Sequence, residues 1–500
     1  MMFFVWFWKK LRFIYYLCTF KKLIFGMKNI IGRETEIKQL NEYVYSSKAE
    51  FVAIYGRRRV GKTFLVNQLY GKEFSFSVTG ILSGTYDEQM TSFVEALKDF
   101  GCDVPATPEN WMNAFILLKN FLKTKISDGK PLIVFIDELP SFDTQRSGFV
   151  RALGYFWNSW ASLQDNLTLI VCGSATSWMI NHIINDKGGL HNRITHEIHL
   201  HPFSLKETEQ LLQNNEFQWD RKQVLYAYMA MGGIPYYLCM LRKDESFAQN
   251  IDRLFFSEDS TLRREYKRLY ETLFNSPAIY MEIVRVLATN KTGLSREDIA
   301  NQLNIASSGN LSAKLEDLIN CDIIRKYCVR TKKIKSTSAI YQLVDFFSLF
   351  YITFNPKAEK ENNYWQNHLG HPELNTWTGL SFEKVCLSHV QSIKRALKID
   401  GIATQHYAWR SKQKEKRTQI DLIIERADKI VNLCEIKFSN EKYALKKEES
   451  EKLQNRIATF RAETELTCPI WLTMITVHGL TPSVYNSDVV RELTLDDLFE

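Results

Sequence analysis

Cysteine is sparse: nine in 500 residues, at 18, 102, 172, 239, 321, 328, 386, 434 and 468. No two form a CxxC pair. That excludes a zinc knuckle or a disulfide framework and suits a reducing cytosol. Only 22 Gly and 11 Pro exclude a collagenous or Pro-rich chain. Within the first 26 residues no apolar run is long: the longest without a charge are residues 1–8 and 13–20, well short of the ~20 residues a spanning helix needs. Charge of one sign is scarce over most of the chain. The formal net charge is +7, but Lys9, Lys10, Arg12, Lys21 and Lys22 supply five of it from residues 1–26, where no acid offsets them. The rest is close to neutral, so net charge gives little support to nucleic-acid binding. What remains is ordinary globular composition, 45% apolar and 24% charged, and length for about three domains.

The aromatic, basic segment 1–26 reads either as an extension before a true start at Met27 or as a membrane-surface helix. No small-residue cleavage site follows it. A membrane partner is not expected for the body, which reads as soluble and cytoplasmic.

From residue 29 the text becomes regular. Residues 30–44 read as a turn into an amphipathic helix. EFVAIYG (50–56), PLIVFIDE (131–138) and LTLIVCGSA (167–175) are apolar runs of the kind found in buried parallel strands. Helices are expected at 61–70, 86–100, 108–124 and 146–163, and a short strand within 195–201. Strands alternating with helices predict a parallel sheet covered on both faces. Residues 206–275 read as helical throughout. Three helices (277–290, 295–304, 307–322) and a hairpin turning at TKKIKS (331–336) have the order of a winged helix-turn-helix. Ser295 with Asp298 marks a capping box. The polar, aromatic stretch leading to residue 375 reads as a linker. The last block reads helix, strand, strand, strand, helix, strand.

Gly56-Arg57-Arg58-Arg59-Val60-Gly61-Lys62-Thr63 matches the phosphate-binding pattern GxxxxGK[ST] in full. It follows a buried strand and opens a helix, as the chemistry requires. Backbone N–H groups would cradle phosphate oxygens, Lys62 would reach the β- and γ-phosphates, and Thr63 would hold Mg²⁺. The ligand expected is ATP. Asp137 and Glu138 end the acidic strand that such a loop needs. Asp137 would hold Mg²⁺ and Glu138 would orient or deprotonate the attacking water, which predicts hydrolysis. Ser174 is either a γ-phosphate sensor or a helix cap. Arg193 is either a finger on the phosphates or a solvated surface residue; acting in trans, it would require a homo-oligomer. One of Arg57, Arg58 and Arg59 could pair with phosphate or with a neighbouring subunit, but exposure is the default for all three. His191, His196, His199 and His201 lack an accompanying carboxylate motif, so a metal site there is disfavoured.

GRETEIKQL, YGRRRVGKT, FIDELP, HPFSL and GGIPYYL (232–238) together resemble the archaeal-type ATPases, an AAA-like group related to the signalling NTPases called STAND. The resemblance spans about residues 28–480. It implies an AAA-like ATPase core, a helical lid, a winged helix and a C-terminal domain of unknown function 234.

That C-terminal block carries Glu383 on a helix, Asp421 in QIDLIIE, and Glu435 with Lys437 as E-x-K in LCEIKFS. The order resembles the restriction-endonuclease-like PD-(D/E)xK superfamily, with Gln419 and Ile420 before the Asp where a Pro is usual. Glu and Lys two apart share one face of a strand. Asp421 and Glu435 would share a second Mg²⁺ or a Mn²⁺, Glu383 would complete its shell, and Lys437 would polarise the scissile phosphate or position the water. The alternative for Glu435 and Lys437 is an ion pair on an edge strand. Ser308, Asn310, Ser312, Lys314 and the wing lysines Lys332, Lys333 and Lys335 are candidate DNA contacts. KQKEKR (412–417) is a candidate phosphate contact.

The expected fold class is α/β multidomain. It comprises an extension (1–26), a P-loop parallel-sheet core (27–205), a helical lid (206–275), a winged helix (276–345), a linker (346–375) and a restriction-endonuclease-like domain (376–500). Two functions stay open: ATP hydrolysis coupled to a domain that acts on DNA or another nucleic acid, or a slow ATP switch whose C-terminal domain only binds a partner.

Overall fold

The computed structural model describes residues 30–126, 130–290, 293–328, 339–355, 361, 363–411 and 418–500. Two compact units divide the chain. The first holds the chain up to Tyr55, Gly61–Ser174 and Trp178–Leu200; the second holds Gly56–Val60, Ala175–Ser177 and His201–Glu500.

The first unit is built on five parallel strands: β1 (Glu50–Tyr55), β2 (Phe74–Thr79), β3 (Leu132–Asp137), β4 (Leu167–Gly173) and β5 (His196–His199), in the order β2-β3-β4-β1-β5. β3 and β4 are buried along their whole length. This is why their sequences are continuous apolar runs with no alternation. Helices Lys62–Tyr70, Tyr86–Asp99, Trp111–Lys125 and Phe149–Ser159 join the strands. Thr85 and Glu88 close a capping box at the second of these, and Asn110 caps the third. Trp111 anchors the core, with Phe93, Phe142 and Phe149 edge-on to it at 5.5, 5.6 and 4.9 Å. The sequence reading passed over β2. FSFSVT alternates, and only Phe76 and Val78 are buried, because β2 is the edge of the sheet. β4 lies between β1 and β3, which sets their C-terminal ends one strand apart.

The second unit opens with helices, as expected for 206–275. Leu205–Asn214 and Arg221–Met231 each start at a capping box, Ser204 with Glu207 and Asp220 with Gln223. The pair Gly232–Gly233 then turns the chain. A Cβ on Gly233 would stand 2.2 Å from the Phe203 carbonyl oxygen, and its φ of 65° is left-handed, so glycine is required there. After Thr261–Leu273 come Pro277–Thr289, β6 (Leu294–Ser295), Arg296–Leu303, Gly309–Asn320, β7 (Ile324–Cys328) and β8 (Ala339–Leu343). The three strands form an antiparallel sheet in the order β6-β8-β7. The Ser295–Asp298 capping box is present. The turn 331–336 with its lysines, the run 412–417 and residues 1–26 lie outside the described residues.

The linker expected over 346–375 does not hold. Phe346–Phe354 is a helix capped by Asp345, and Phe347, Phe350 and Phe354 are fully buried. Trp365 and Trp377 pack on Phe350 at 5.2 and 5.3 Å. The aromatics of this stretch are core residues, and Pro372 starts a helix (Pro372–Ser388) from its first turn.

The remaining strands are β9 (Thr404–Arg410), β10 (Gln419–Arg426), β11 (Val431–Lys437), β12 (Ile470–Thr476) and β13 (Val489–Leu493), in the order β13-β12-β11-β10-β9. β9, β10 and β11 pair antiparallel; β11, β12 and β13 pair parallel. Helix Lys447–Thr464 connects β11 to β12. Among the described residues no helix is long and apolar enough to cross a membrane.

Candidate functional site

The first unit brings Lys62, Thr63, Asp137, Glu138 and Ser174 together. Gly61 has a φ of 97°, which glycine alone tolerates well, and it caps the helix Lys62–Tyr70. That start places Lys62 and Thr63 in the first turn. Thr63 Oγ1 donates to Asp137 Oδ2 at 2.8 Å. Asp137 ends β3 and is buried. Burial is the main cause that pushes its carboxyl up to about 6; the Thr63 hydrogen bond opposes the shift, Glu138 adds to it, and the Lys62 charge pulls back. A hydroxyl and a carboxylate oxygen in contact are hard donors of the kind Mg²⁺ takes.

Glu138 sits at φ 47°, ψ 45°, a left-handed conformation that costs a non-glycine residue roughly 1–3 kcal/mol. Ser174 holds it there: its Oγ and N–H donate to Glu138 Oε2 at 2.9 and 3.3 Å. Both readings of Ser174 offered by the sequence, sensor or helix cap, missed this contact. Arg193 is exposed just before β5, and among the described residues no contact joins its side chain to these five. His196 stacks on Tyr43 at 3.6 Å and meets Glu50 at 3.3 Å; His199 stacks on Tyr55 at 4.8 Å.

The loop arginines do not follow the expectation of exposure. Arg57, in the second unit, is 1% exposed and ion-pairs with Asp345, itself fully buried. Asp345 also accepts from the Ser348 hydroxyl and N–H. Arg59 pairs with Glu265 at 3.0 Å and lies 4.1 Å over the Tyr236 ring. Arg58 is partly exposed. A buried guanidinium needs a buried anion, and Asp345 supplies one from 288 positions away.

The second unit assembles Glu383, Asp421, Glu435 and Lys437 from the helix Pro372–Ser388, β10 and β11. Glu383 is pushed up to about 7, first by burial and then by the Asp421 charge. Burial raises Asp421 as well; the Gln419 side-chain amide donates to its Oδ1 at 2.5 Å and opposes the shift, while Glu435 adds to it. β11 is the middle strand of its sheet, so the edge-strand reading of Glu435 fails. Glu435 is nonetheless paired: Lys437 Nζ lies 2.9 Å from Oε1, and Arg456 Nη1 donates to Oε2 at 2.7 Å. The donor set suits a hard divalent cation at Glu383 and Asp421, whereas Glu435 would first have to release a cation. Arg456, on helix Lys447–Thr464, gave no local signal in the sequence. Of the candidate DNA contacts, Ser312 accepts from Arg296 at 3.0 Å and Lys314 lies 4.9 Å over Tyr280.

Glu383 and Asp421 line a cleft of about 480 Å³ with Arg325, Lys326, Tyr327, His406 and Tyr407. Arg325 and Tyr327 come from β7, a strand of the other sheet of this unit.

Residues 30–241 match the family of ATPase domains found predominantly in Archaea. An uncharacterized protein of Methanocaldococcus jannaschii is 27% identical over 376 residues, covering 74% of this chain and 79% of that protein. The walker-type ATPase of Pyrococcus abyssi is 18% identical, with 65% of this chain and 96% of that one covered and a TM-score of 0.48. The ORC2 protein of Aeropyrum pernix is 14% identical, with 68% and 97% covered and a TM-score of 0.42. The family match runs from the helix before β1, through the phosphate-binding loop and the acidic strand, to the helical segment after β5. Over residues 30–241 the chain is thus similar to the ATPase domains found predominantly in Archaea.

Proposed function

We propose that the protein hydrolyses ATP in a Mg²⁺-dependent reaction and couples this to a C-terminal domain that cleaves nucleic acid. The observation that carries the first half is the meeting of Thr63 with Asp137 beside Lys62, with Glu138 held by Ser174 at the end of the same strand. Lys62 would bind the β- and γ-phosphates, and the N–H groups of Gly56–Gly61 would face their oxygens. Thr63 and Asp137 would hold Mg²⁺, whose charge offsets that developing on the phosphates. Glu138 would orient the attacking water and accept its proton, and Ser174 would keep that carboxylate aimed. The side chains of Arg57 and Arg59 are engaged by Asp345 and Glu265, so these two residues would meet the phosphates through their backbone N–H groups.

For the second half, the residues follow the E…D…E-x-K order, and Glu383 and Asp421 share one cleft. Asp421 and Glu383 would hold Mg²⁺ or Mn²⁺, and Lys437 would polarise the scissile phosphate once it leaves Glu435. The segment 277–343, with three helices and a three-stranded sheet, has the element order of a winged helix. Coupling is supported by a chain of contacts within the second unit. Arg57 pairs with Asp345, and two residues before it the Leu343 carbonyl accepts from Lys384 Nζ at 2.9 Å, next to Glu383.

The second reading is an ATP-dependent switch with a non-catalytic C-terminal domain. The pairing of Glu435 by both Lys437 and Arg456 favours it. One experiment separates the two: ATP turnover and cleavage of labelled DNA and RNA with Mg²⁺ or Mn²⁺, with and without ATP. Wild type is run beside Lys62→Ala and Asp421→Ala. Cleavage lost in Asp421→Ala while ATP turnover persists is the result expected. ATP turnover without cleavage under any condition selects the switch, and wild-type turnover in Lys62→Ala removes the phosphate assignment.

A further inference from the structure

Arg325 belongs to β7, yet it lines the cleft whose other walls come from the helix Pro372–Ser388, β9 and β10. Its guanidinium is fixed. Nε and Nη2 donate to Gln342 Oε1 at 3.0 and 2.5 Å, and Nη1 donates to the Leu387 carbonyl at 3.3 Å. These acceptors take three of the five N–H groups that an arginine carries. Both acceptors are neutral. Among the described residues no carboxylate lies within ion-pair distance of Arg325, although the Glu383 and Asp421 charges act on it from farther away. This sets it apart from Arg57, Arg59, Arg221 and Arg456, each of which meets a carboxylate.

A cation kept partly out of water without a counter-ion costs free energy unless a ligand supplies the anion. The planar fork of arginine matches a phosphate with two parallel hydrogen bonds. The cleft also needs such a group. Two carboxylates crowd one wall, and a phosphodiester approaching them is repelled unless a positive charge offsets it. Tyr327 lies beside Arg325, with its ring 5.6 Å from the guanidinium carbon, and Tyr407 faces the same space. Aromatic faces beside a cation are what an unpaired nucleotide stacks on.

We propose that Arg325 is a phosphate-binding residue of this cleft, gripping the backbone of a nucleic-acid strand so that the acidic cluster works only with the three-stranded sheet in place. The proposal rests on the nucleolytic reading above. It places a substrate contact outside the E…D…E-x-K set, on a strand that precedes that set in the chain by more than fifty positions.

The test uses the full chain and two labelled probes, a DNA strand and an RNA strand. Binding is followed by fluorescence anisotropy with Ca²⁺ across a salt series. Mn²⁺ binding is followed separately by calorimetry, and ATP binding serves as the check on folding. Arg325→Ala is expected to weaken binding of the preferred strand at least tenfold. It is also expected to lower the slope of log affinity against log salt by about 0.7, the value of one lost single-strand phosphate contact. Mn²⁺ and ATP binding should be unchanged. Asp421→Ala should do the reverse, losing Mn²⁺ while keeping the salt slope. Arg325→Lys keeps the charge and loses the fork, so it should keep the slope and weaken binding severalfold. Wild-type strand affinity and slope in Arg325→Ala, with Mn²⁺ still bound, would overturn the proposal and leave the metal reading standing. If Arg325→Ala does not fold, wild-type strand affinity in Arg325→Lys overturns it. A wild-type protein that binds Mn²⁺ but neither strand overturns it too, and one that binds none of the three overturns both readings.

Discussion

The phosphate site of the first unit and the acidic cleft of the second are both built on carboxylates at buried strands, but they handle charge differently. In the first, Asp137 is offset locally. Thr63 donates to it and the Lys62 charge acts on it, and both come from one eight-residue motif. In the second, Glu383, Asp421 and Glu435 come from three separate elements, and their cations are unevenly shared. Glu435 takes both Lys437 and Arg456, while Glu383 and Asp421, raised by burial as Asp137 is, have no ion-pair partner among the described residues. The contrast teaches that a contiguous motif carries its own counter-charges, whereas a dispersed cluster depends on which neighbours the fold delivers.

The largest effect should fall on the first site. Glu138→Gln should keep ATP affinity and lose turnover by about 10²–10⁴-fold, the range for removing a general base. Equilibrium binding and steady-state hydrolysis measure the two separately. The same substitution should leave Mn²⁺ binding at Asp421 untouched, since it changes only the first site. Turnover at the wild-type rate would break the assignment of Glu138 and, with it, the view that the two sites differ in what their carboxylates do.

Arg57 and Asp345 sharpen the comparison from inside the motif. Removing either partner strands a fully buried charge, which costs about 3–5 kcal/mol. Arg57→Ala and Asp345→Ala should therefore each lower the urea midpoint of the second unit. The double variant Arg57→Met, Asp345→Leu should recover most of the loss, because two apolar side chains need no counter-ion. Equal and small effects for all three would mean that the pair is solvated and that the phosphate loop is not tied to Asp345.

Legibility in the sequence follows the same division. β1, β3 and β4 were readable because full burial leaves an unbroken apolar run, and the phosphate loop was readable because its chemistry needs glycines and a lysine at set spacing. β2 was missed because an edge strand has no such run. The helix Phe346–Phe354 was missed because aromatic residues beside polar ones suggest a loop until their partners, Trp365 and Trp377, are known. Glu383, Asp421, Glu435 and Lys437 were readable only as an order of residue types. That Glu435 is occupied, that Arg57 is buried and that Arg325 has no carboxylate partner among the described residues are long-range facts. They depend on Arg456, Asp345 and Gln342, which no local pattern marks.

The smallest effect separates the two units by their response to acid. In the first unit, burial raises Asp137 to about 6, so its protonated form is the better tolerated one and acid relieves the site. The second unit holds the opposite case in His389. It is buried, its Nε2 accepts from the Leu205 N–H at 3.0 Å, and its Nδ1 lies 2.9 Å from the Val385 carbonyl. Those two bonds fix one neutral tautomer, with the proton on Nδ1. Burial lowers it to about 4 from the ordinary 6.5, against the pull of the Val385 carbonyl and of Glu207, and Tyr228 packs edge-on at 5.4 Å. A folded value below the unfolded one means that the contribution is complete above 6.5 and lost as pH falls through about 4. The loss should reach roughly 3 kcal/mol over that window. Denaturant midpoints of wild type and His389→Gln, compared at steps between pH 7 and pH 4, isolate it. The wild type should lose stability steeply across the window and the variant, lower at neutral pH, should lose less. Parallel curves would show that the imidazole is already hydrated, and the acid sensitivity of the second unit would then have to come from elsewhere.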